Sequence, residues 1–280
     1  MMDGPGAAFG RLLAEIRRHD RVVVAFSGGV DSTLLLDACL QALGPDRVLA
    51  ATLAAPYVPR AEIHEARRLA ADLGARHEVV DLPRPEALRD RPQVRCYVCK
   101  RHLLGRLQAL GGVRGFTRIV EGSNADDLGD HRPGMRAVRE LGVRSPLLQA
   151  GLDKAAVRQL SRRRGLDTWD KPAQACLMTR FPHGTDVTMA RLRRLEAAEA
   201  VLHDLGFSDV RVREHGDLAR IEVPAGRIPD LVRIGLERGL EAALRGLGYA
   251  RGTVDLAGYR KGSFNSSGAR RDTAETGERS

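Results

Sequence analysis

The stretch Val22-Val-Val-Ala-Phe-Ser-Gly-Gly-Val-Asp-Ser32 decides how this chain is read. Val22–Phe26 is a continuous apolar run, the pattern of a parallel strand covered on both faces. Asp31–Leu43 then reads as a helix that stops near Gly44-Pro45. Between strand and helix, Gly28 and Gly29 let the backbone approach an anion closely and turn its N–H groups toward it. Ser32 and the positive end of the helix add donors and partial charge. Asp31 carries the wrong sign to bind an anion, so it is assigned to capping the helix or placing Mg2+. The loop lacks the Lys-Ser/Thr of a Walker A motif and the third glycine of a dinucleotide loop. Both serines, the aspartate and the flanking elements mark it as a phosphate-binding loop rather than an ordinary strand–helix turn.

Strand and helix patterns alternate outward from that loop. Val48–Leu53 is a second strand and Arg60–Leu73 an amphipathic helix with apolar Ile63, Ala66, Leu69, Ala70 and Leu73. His77–Val80, a helix around Lys100–Leu110 and Arg118–Val120 continue the series. The fold class is therefore α/β, a doubly wound parallel sheet whose ligands lie at the carboxyl ends of the strands. Gly122–Leu148 reads as loop-rich, followed by a helix at about Asp153–Arg164. From Thr188 the pattern changes to a long charged helix (Met189–Leu205) and short strands at Val210–Arg213, Ala219–Val223 and near Thr253–Leu256, a smaller C-terminal α+β domain. The expected boundaries are 1–165 for the nucleotide domain, 166–187 for a linking loop and 188–262 for the small domain. The Ser/Gly/charge-rich end, 263–280, is expected to be disordered.

Composition narrows the function classes. The 280 residues carry a net charge of +9, but only four of the 45 basic residues are lysines, and the arginines alternate with acids along helices. That distribution describes solvated helix faces more than a nucleic-acid surface. Aromatics are 4% of the chain, too few for a binder that stacks bases. No apolar run reaches the roughly 18 residues of a membrane span, and no export signal opens the chain, so a cytoplasmic protein is expected.

The four cysteines point to metal or redox chemistry rather than a disulfide scaffold. Cys39, on the apolar side of its helix with Leu35 and Leu36, is a core residue. Arg95-Cys-Tyr-Val-Cys-Lys100 spaces Cys96 and Cys99 for one metal centre, and Cys176 stands in Lys171-Pro-Ala-Gln-Ala-Cys-Leu-Met-Thr-Arg180. By residue type alone, three uses stay open: a Cys₃His zinc site with His102 or His183, a redox pair, or a [4Fe–4S] cluster on three thiolates with one iron left without a protein ligand. Asn124 and Asp127 lie just past a predicted strand, where ligands bind in such sheets. Arg211 and Arg213 alternate on a strand and share a face.

Several stretches resemble the LarE family of ATP-dependent sulfur transferases, within the PP-loop ATP pyrophosphatases. They are Ser27–Ser32, Glu121-Gly-Ser-Asn-Ala-Asp-Asp-Leu128, Arg132-Pro-Gly134, Lys171–Arg180, Arg211-Val-Arg213, Ala219-Arg-Ile-Glu-Val223 and Gly258-Tyr-Arg-Lys-Gly262. The resemblance runs over residues 10–262 or so, and its Pro-Ala-x-Ala-Cys segment is more specific than the loop. It implies adenylation of the carboxylates of pyridinium biscarboxylic acid mononucleotide, with pyrophosphate released, and their conversion to thiocarboxylates for a nickel-pincer cofactor. It implies that Ser27, Gly28, Gly29, Asp31 and Ser32 hold ATP and pyrophosphate with Asn124, Asp127, Arg180 and Mg2+. Arg211 and Arg213, with Glu199, Glu222 and Asp230, match the family's site for the substrate phosphate. Cys176 matches the sulfur-bearing residue, which single-cysteine members sacrifice. Cys96 and Cys99 make this chain resemble the three-cysteine members, associated with a [4Fe–4S] cluster that accepts sulfide or another sulfur donor. The family also implies a homo-oligomer, a hexamer, with no nucleic-acid or membrane partner. Two other readings of the loop are a PP-loop tRNA thiolation enzyme and an ammonia-dependent amidating synthetase.

Overall fold

A computed structural model describes residues 5–83, 95–128, 133–172, 176–182 and 184–259. The expected disordered tail, Arg132, His183 and Arg260–Gly262 fall outside the described residues. The chain divides into two compact units, Met1–Gln174 and Ala175–Ser280.

The first unit is built on four parallel strands: β1 (Val22–Ala25), β2 (Val48–Ala54), β3 (Arg76–Asp81) and β4 (Arg118–Val120), in the order β3-β2-β1-β4. Strand β1 pairs with β2 from Val22↔Val48 to Ala25↔Ala51 and with β4 from Val22↔Arg118 to Val24↔Val120. Its side chains alternate between two cores, which explains the unbroken apolar run. Val22 and Val24 join Leu34, Leu35, Ala66, Leu69, Val157 and Leu160 on one face, whereas Val23 joins Leu49, Leu104, Leu107 and Ile119 on the other. All three valines are fully buried, each contributing about 1.5–3 kcal/mol relative to exposure.

Helices α1 (Pro5–Ile16), α2 (Val30–Leu43) and α3 (Arg60–Asp72) belong to the first face, and α4 (Arg95–Arg114) to the second. Helix α2 begins at Gly29 and ends where Gly44, at φ +80°, turns its N–H back to Leu40 O. That conformation is open to glycine without steric cost, and Pro45 then prevents continuation.

Three helices differ from the sequence reading. Helix α1 buries Ala8, Leu12, Leu13 and Ile16, a stripe at helical spacing that joins the core with α2. The segment read as loop-rich contains α5 (Pro133–Glu140) and the short α6 (Pro146–Gln149). Pro133 and Pro146 open these helices, where a missing N–H costs nothing, rather than breaking them. Helix α5 covers the second face through Val138, with Met135 packed against the same core. Helix α7 (Lys154–Arg163) closes the unit, with Asp153 accepting the Ala156 N–H at 2.7 Å as its cap.

The second unit holds α8 (Met189–Asp204), capped by the Thr188 hydroxyl, then β5 (Arg211–His215), β6 (Leu218–Glu222), α9 (Ile228–Glu237), α10 (Leu240–Gly246) and β7 (Arg251–Val254). Strands β5 and β6 form an antiparallel hairpin through Gly216 at φ +73°, and β7 runs parallel to β6. Val212, Ala219 and Ile221 of this sheet are buried, as are Leu192, Leu195, Ala198 and Leu202 of α8.

Candidate functional site

The phosphate loop sits where β1 ends and α2 begins. Gly28 takes φ +70°, and a Cβ there would lie 3.2–3.4 Å from Ala66 backbone and side-chain atoms, so glycine is required on two counts. The serines fix the loop from within. Ser32 Oγ donates to Gly29 O at 3.1 Å, accepts the Ser27 N–H at 3.3 Å and lies 3.1 Å from Ser27 Oγ. Ser27 is exposed and Ser32 buried, so one hydroxyl braces the turn while the other faces outward.

Asp31, in the first turn of α2, is held from two sides. Asn124 Nδ2 donates to Oδ1 at 3.0 Å and Lys154 Nζ pairs with Oδ2. Asn124 and Asp127 are both buried, in a short turn after β4 where Asp127 Oδ2 accepts the Asn124 N–H at 3.1 Å. Gly122 permits this turn to press on the loop, since a Cβ there would stand 3.1 Å from Ser32 N and 3.2 Å from Asp31 Cβ. The turn that carries Asn124 and Asp127 is thus brought to Asp31, 93 residues earlier, through Asn124.

Three groups here were not singled out from sequence: Lys154, Lys171 and Glu121. Lys171 Nζ donates to Gly28 O at 3.3 Å and to Glu62 and Glu65 at 3.0 and 2.6 Å. Glu121, buried at the end of β4, accepts from Lys100 Nζ at 2.9 Å, Ser145 Oγ at 2.5 Å, Ser123 Oγ at 2.9 Å and Ser123 N at 3.2 Å. Burial alone would raise its carboxyl, but the Lys100 ammonium and these hydrogen bonds hold it below its ordinary value. The signal for the lysines was in the composition. Where arginine supplies nearly every cation, a retained lysine marks a place that takes a compact ammonium rather than a planar fork.

Cys96 and Cys99 lie one turn apart at the start of α4, the first exposed and the second half-buried. Tyr57 OH lies 3.2 Å from Cys99 Sγ. Burial raises the Cys99 thiol while Tyr57 works against it. Cys39 is fully buried and its thiol is pushed far up by desolvation, in keeping with a core role. Among the described residues, no group of three or more His, Cys, Asp or Glu gathers to hold a metal. The helix face presents two reachable thiols with the i, i+3 spacing that suits neighbouring ligands of one centre.

In the second unit the structure pairs the expected charges with one another. Arg180, 1% exposed, forks onto Glu199 at 2.9 and 3.2 Å, and Glu199 also accepts the Val212 N–H at 3.0 Å. Arg213 donates to Glu222 at 2.9 Å and to Thr179 O at 2.8 Å. Arg211 is buried beside the Tyr259 ring, 5.1 Å from its centroid, and donates to Val210 O at 2.7 Å. Burial lowers its pKa, and the nearby Arg180 adds to the effect. Asp230 instead pairs with Arg227 and Arg233 on the more exposed side of α9. Cys176 is exposed, just before the turn Leu177–Arg180.

A parallel sheet whose first strand runs through a left-handed glycine into a serine-braced helix N-terminus defines an ATP-using enzyme of the PP-loop class. Residues 11–93 match the NAD synthase family. Similarity to the NH(3)-dependent NAD(+) synthetase of Hyperthermus butylicus, 42% over 62 residues, covers only 22% of each chain. An uncharacterised protein of Synechocystis sp. is 40% identical over 249 residues, 88% of this chain and 92% of that one. The pyridinium-3,5-bisthiocarboxylic acid mononucleotide synthase of Lactiplantibacillus plantarum is 37% identical over 256 residues, 91% of this chain and 92% of its own. The chain belongs to that synthase's family, LarE, a family of ATP-using sulfurtransferases. No described helix is long and apolar enough to cross a membrane.

Proposed function

We propose that this protein activates the carboxylates of pyridinium-3,5-biscarboxylic acid mononucleotide with ATP and converts them to thiocarboxylates for a nickel-pincer cofactor. The observation that carries this reading is identity to the Lactiplantibacillus synthase across nearly the whole of both chains, rather than across the phosphate loop alone. The match to NH(3)-dependent synthetases ends near the loop-bearing first third.

In this reading the Ser27–Ser32 loop holds the β- and γ-phosphates through backbone N–H groups and the Ser27 hydroxyl. Asp31 and Asp127 would hold Mg2+, which when bound would offset the negative charge of the phosphates. The substrate carboxylate attacks the α-phosphorus, the bond to the β-phosphate bridging oxygen breaks, and pyrophosphate leaves. A sulfur nucleophile then attacks the acyl-adenylate carbon, and AMP departs with the electron pair of the acyl–oxygen bond.

Arg211 and Arg213 are assigned to the substrate phosphate. A buried guanidinium destabilised by a second guanidinium is a place that an anion stabilises. Glu199 and Glu222 orient Arg180 and Arg213, and Asp230 would act at the rim of that site. Arg180 is assigned to stabilising charge that develops on the adenylate phosphate.

Cys176 is assigned to the sulfur-transfer step. Cys96, Cys99 and Cys176 would together hold a [4Fe–4S] cluster; when bound, it supplies an iron without a protein thiolate, able to carry sulfide from an external donor. The Cys96–Cys99 spacing and the exposure of Cys96 and Cys176 support this assignment. The protein is assigned to the cytoplasm as a homo-oligomer.

The test follows ATP turnover with the biscarboxylate nucleotide, measuring pyrophosphate release and, by anaerobic mass spectrometry, thiocarboxylate and the mass of the Cys176 peptide. Cys176→Ala is expected to keep pyrophosphate release and lose thiocarboxylate. Pyrophosphate release that ignores the biscarboxylate and follows ammonia instead would overturn the reading.

A further inference from the structure

The peptide between Gly28 and Gly29 lies in the middle of the phosphate loop, and one side chain from far along the chain holds its carbonyl. Lys171 Nζ, with its side chain 12% exposed, has three acceptors: Gly28 O at 3.3 Å, Glu62 at 3.0 Å and Glu65 at 2.6 Å. An ammonium has three N–H bonds, so the set is complete. The residue is fixed at its backbone as well. Its N–H donates to Thr168 O at 3.1 Å, and its carbonyl accepts from Arg158 Nη2 at 2.9 Å.

In a trans peptide the C=O and N–H bonds point in opposite directions. With the Gly28 carbonyl turned toward Lys171, the Gly29 N–H points the other way. There it makes only a long, exposed hydrogen bond to Ser27 Oγ, at 3.4 Å, and remains available to an anion. Glycine on both sides removes the steric preference that would otherwise fix this peptide. A flipped peptide would present a carbonyl oxygen to the phosphate instead of a donor.

We propose that Lys171 is a positioning residue that locks the Gly28–Gly29 peptide with its N–H facing the phosphate, while Glu62 and Glu65 hold the ammonium in place. The inference rests on the loop being a pyrophosphate grip. It assigns Lys171 to the loop's own backbone rather than to the phosphate. The two possibilities respond oppositely to removal of the carboxylates. A lock loosens when Glu62 and Glu65 are neutralised; a cation that touched phosphate directly would be freed by the same change.

The experiment titrates inorganic pyrophosphate into the full-length chain by calorimetry, with thermal midpoints confirming folding. Lys171→Met is expected to raise the pyrophosphate Kd about tenfold, as for loss of one charged hydrogen bond, and Glu62→Gln/Glu65→Gln about threefold in the same direction. The triple variant, which leaves no unbalanced carboxylate, should bind no better than Lys171→Met. The Gly29 amide ¹⁵N resonance should shift on adding pyrophosphate to wild type and lose that shift in Lys171→Met. Tighter binding by Glu62→Gln/Glu65→Gln, or equal binding by a folded Lys171→Met or the triple variant, overturns the lock alone. Wild-type protein that does not retain pyrophosphate overturns the reading of the loop and the lock with it.

Discussion

Glu199→Gln isolates the charge pairing that organises the second unit. The carboxylate holds Arg180 through two bonds, at 2.9 and 3.2 Å, and takes the Val212 N–H at 3.0 Å. Both side chains are almost out of solvent, at 1% and 8%. The amide keeps one acceptor oxygen but turns a donor toward the guanidinium and removes the compensating charge. Breaking a buried pair by one partner costs about 3–5 kcal/mol. Arg211 stands near enough to Arg180 to be destabilised by it, so less charge compensation remains for both and the upper half of that range is expected. Against a total stability of ~5–15 kcal/mol, this is a large fraction. Hydrogen exchange of peptides across α8 and β5, with urea added in steps to the whole chain, reads the opening energy of this unit directly. Arg180→Met/Glu199→Gln, which removes both charges yet keeps an oxygen for the Val212 N–H, should recover most of the loss, because the uncompensated buried charge is gone. A Glu199→Gln cost under about 1 kcal/mol, with no recovery in the double variant, would refute the view that this pair bears on the fold.

Two further outcomes follow from the first unit. Gly122→Ala places a methyl 3.1 Å from Ser32 N, so the start of α2 must shift by a few tenths of an ångström; kcat for pyrophosphate release should fall about tenfold, and an unchanged rate would show that the loop tolerates the shift. The Glu121 carboxyl is held below its ordinary 4.5 in the fold, so the unfolded chain binds the proton first as pH drops. Its stabilisation is complete above pH 4.5 and lost as pH falls through the folded value. Glu121→Gln should therefore cost about 2 kcal/mol at pH 7 and flatten the acid limb of a urea-stability profile below pH 4.5; a parallel limb would count against the Lys100–Glu121 network.

How much of this was legible in the sequence depended on whether a feature is local. The β1 run and the Ser27–Ser32 loop are contiguous, and each residue's role follows from its immediate neighbours. Strand ends were less legible because pairing sets them: β2 extends to Ala54 since Asp81 lies opposite, a partner that no pattern in β2 announces. Helix α5 was hidden by Pro133-Gly134, which punctuate a chain equally well whether a helix is starting or being prevented.

The site shows the same division more sharply. Asp31 was recognised as needing a task, but its counter-ion is 123 residues away and the lysine on Gly28 is 143 residues away. Alternation correctly put Arg211 and Arg213 on one face of β5. Their environment came from elsewhere: Glu222 on β6, opposite Arg211 in register, bonds diagonally to Arg213, while Arg211 turns to the Val210 carbonyl and the Tyr259 ring. Sequence thus shows which groups carry charge, and the fold decides which charges are already spent on one another. Arg180 and Arg213 are bonded to Glu199 and Glu222, and Arg211, whose charge burial opposes, lies 3.7 Å from Asp209 Oδ1. On the proposed assignment of the substrate phosphate to Arg211 and Arg213, the anion adds to contacts that the fold has already made rather than supplying the first of them.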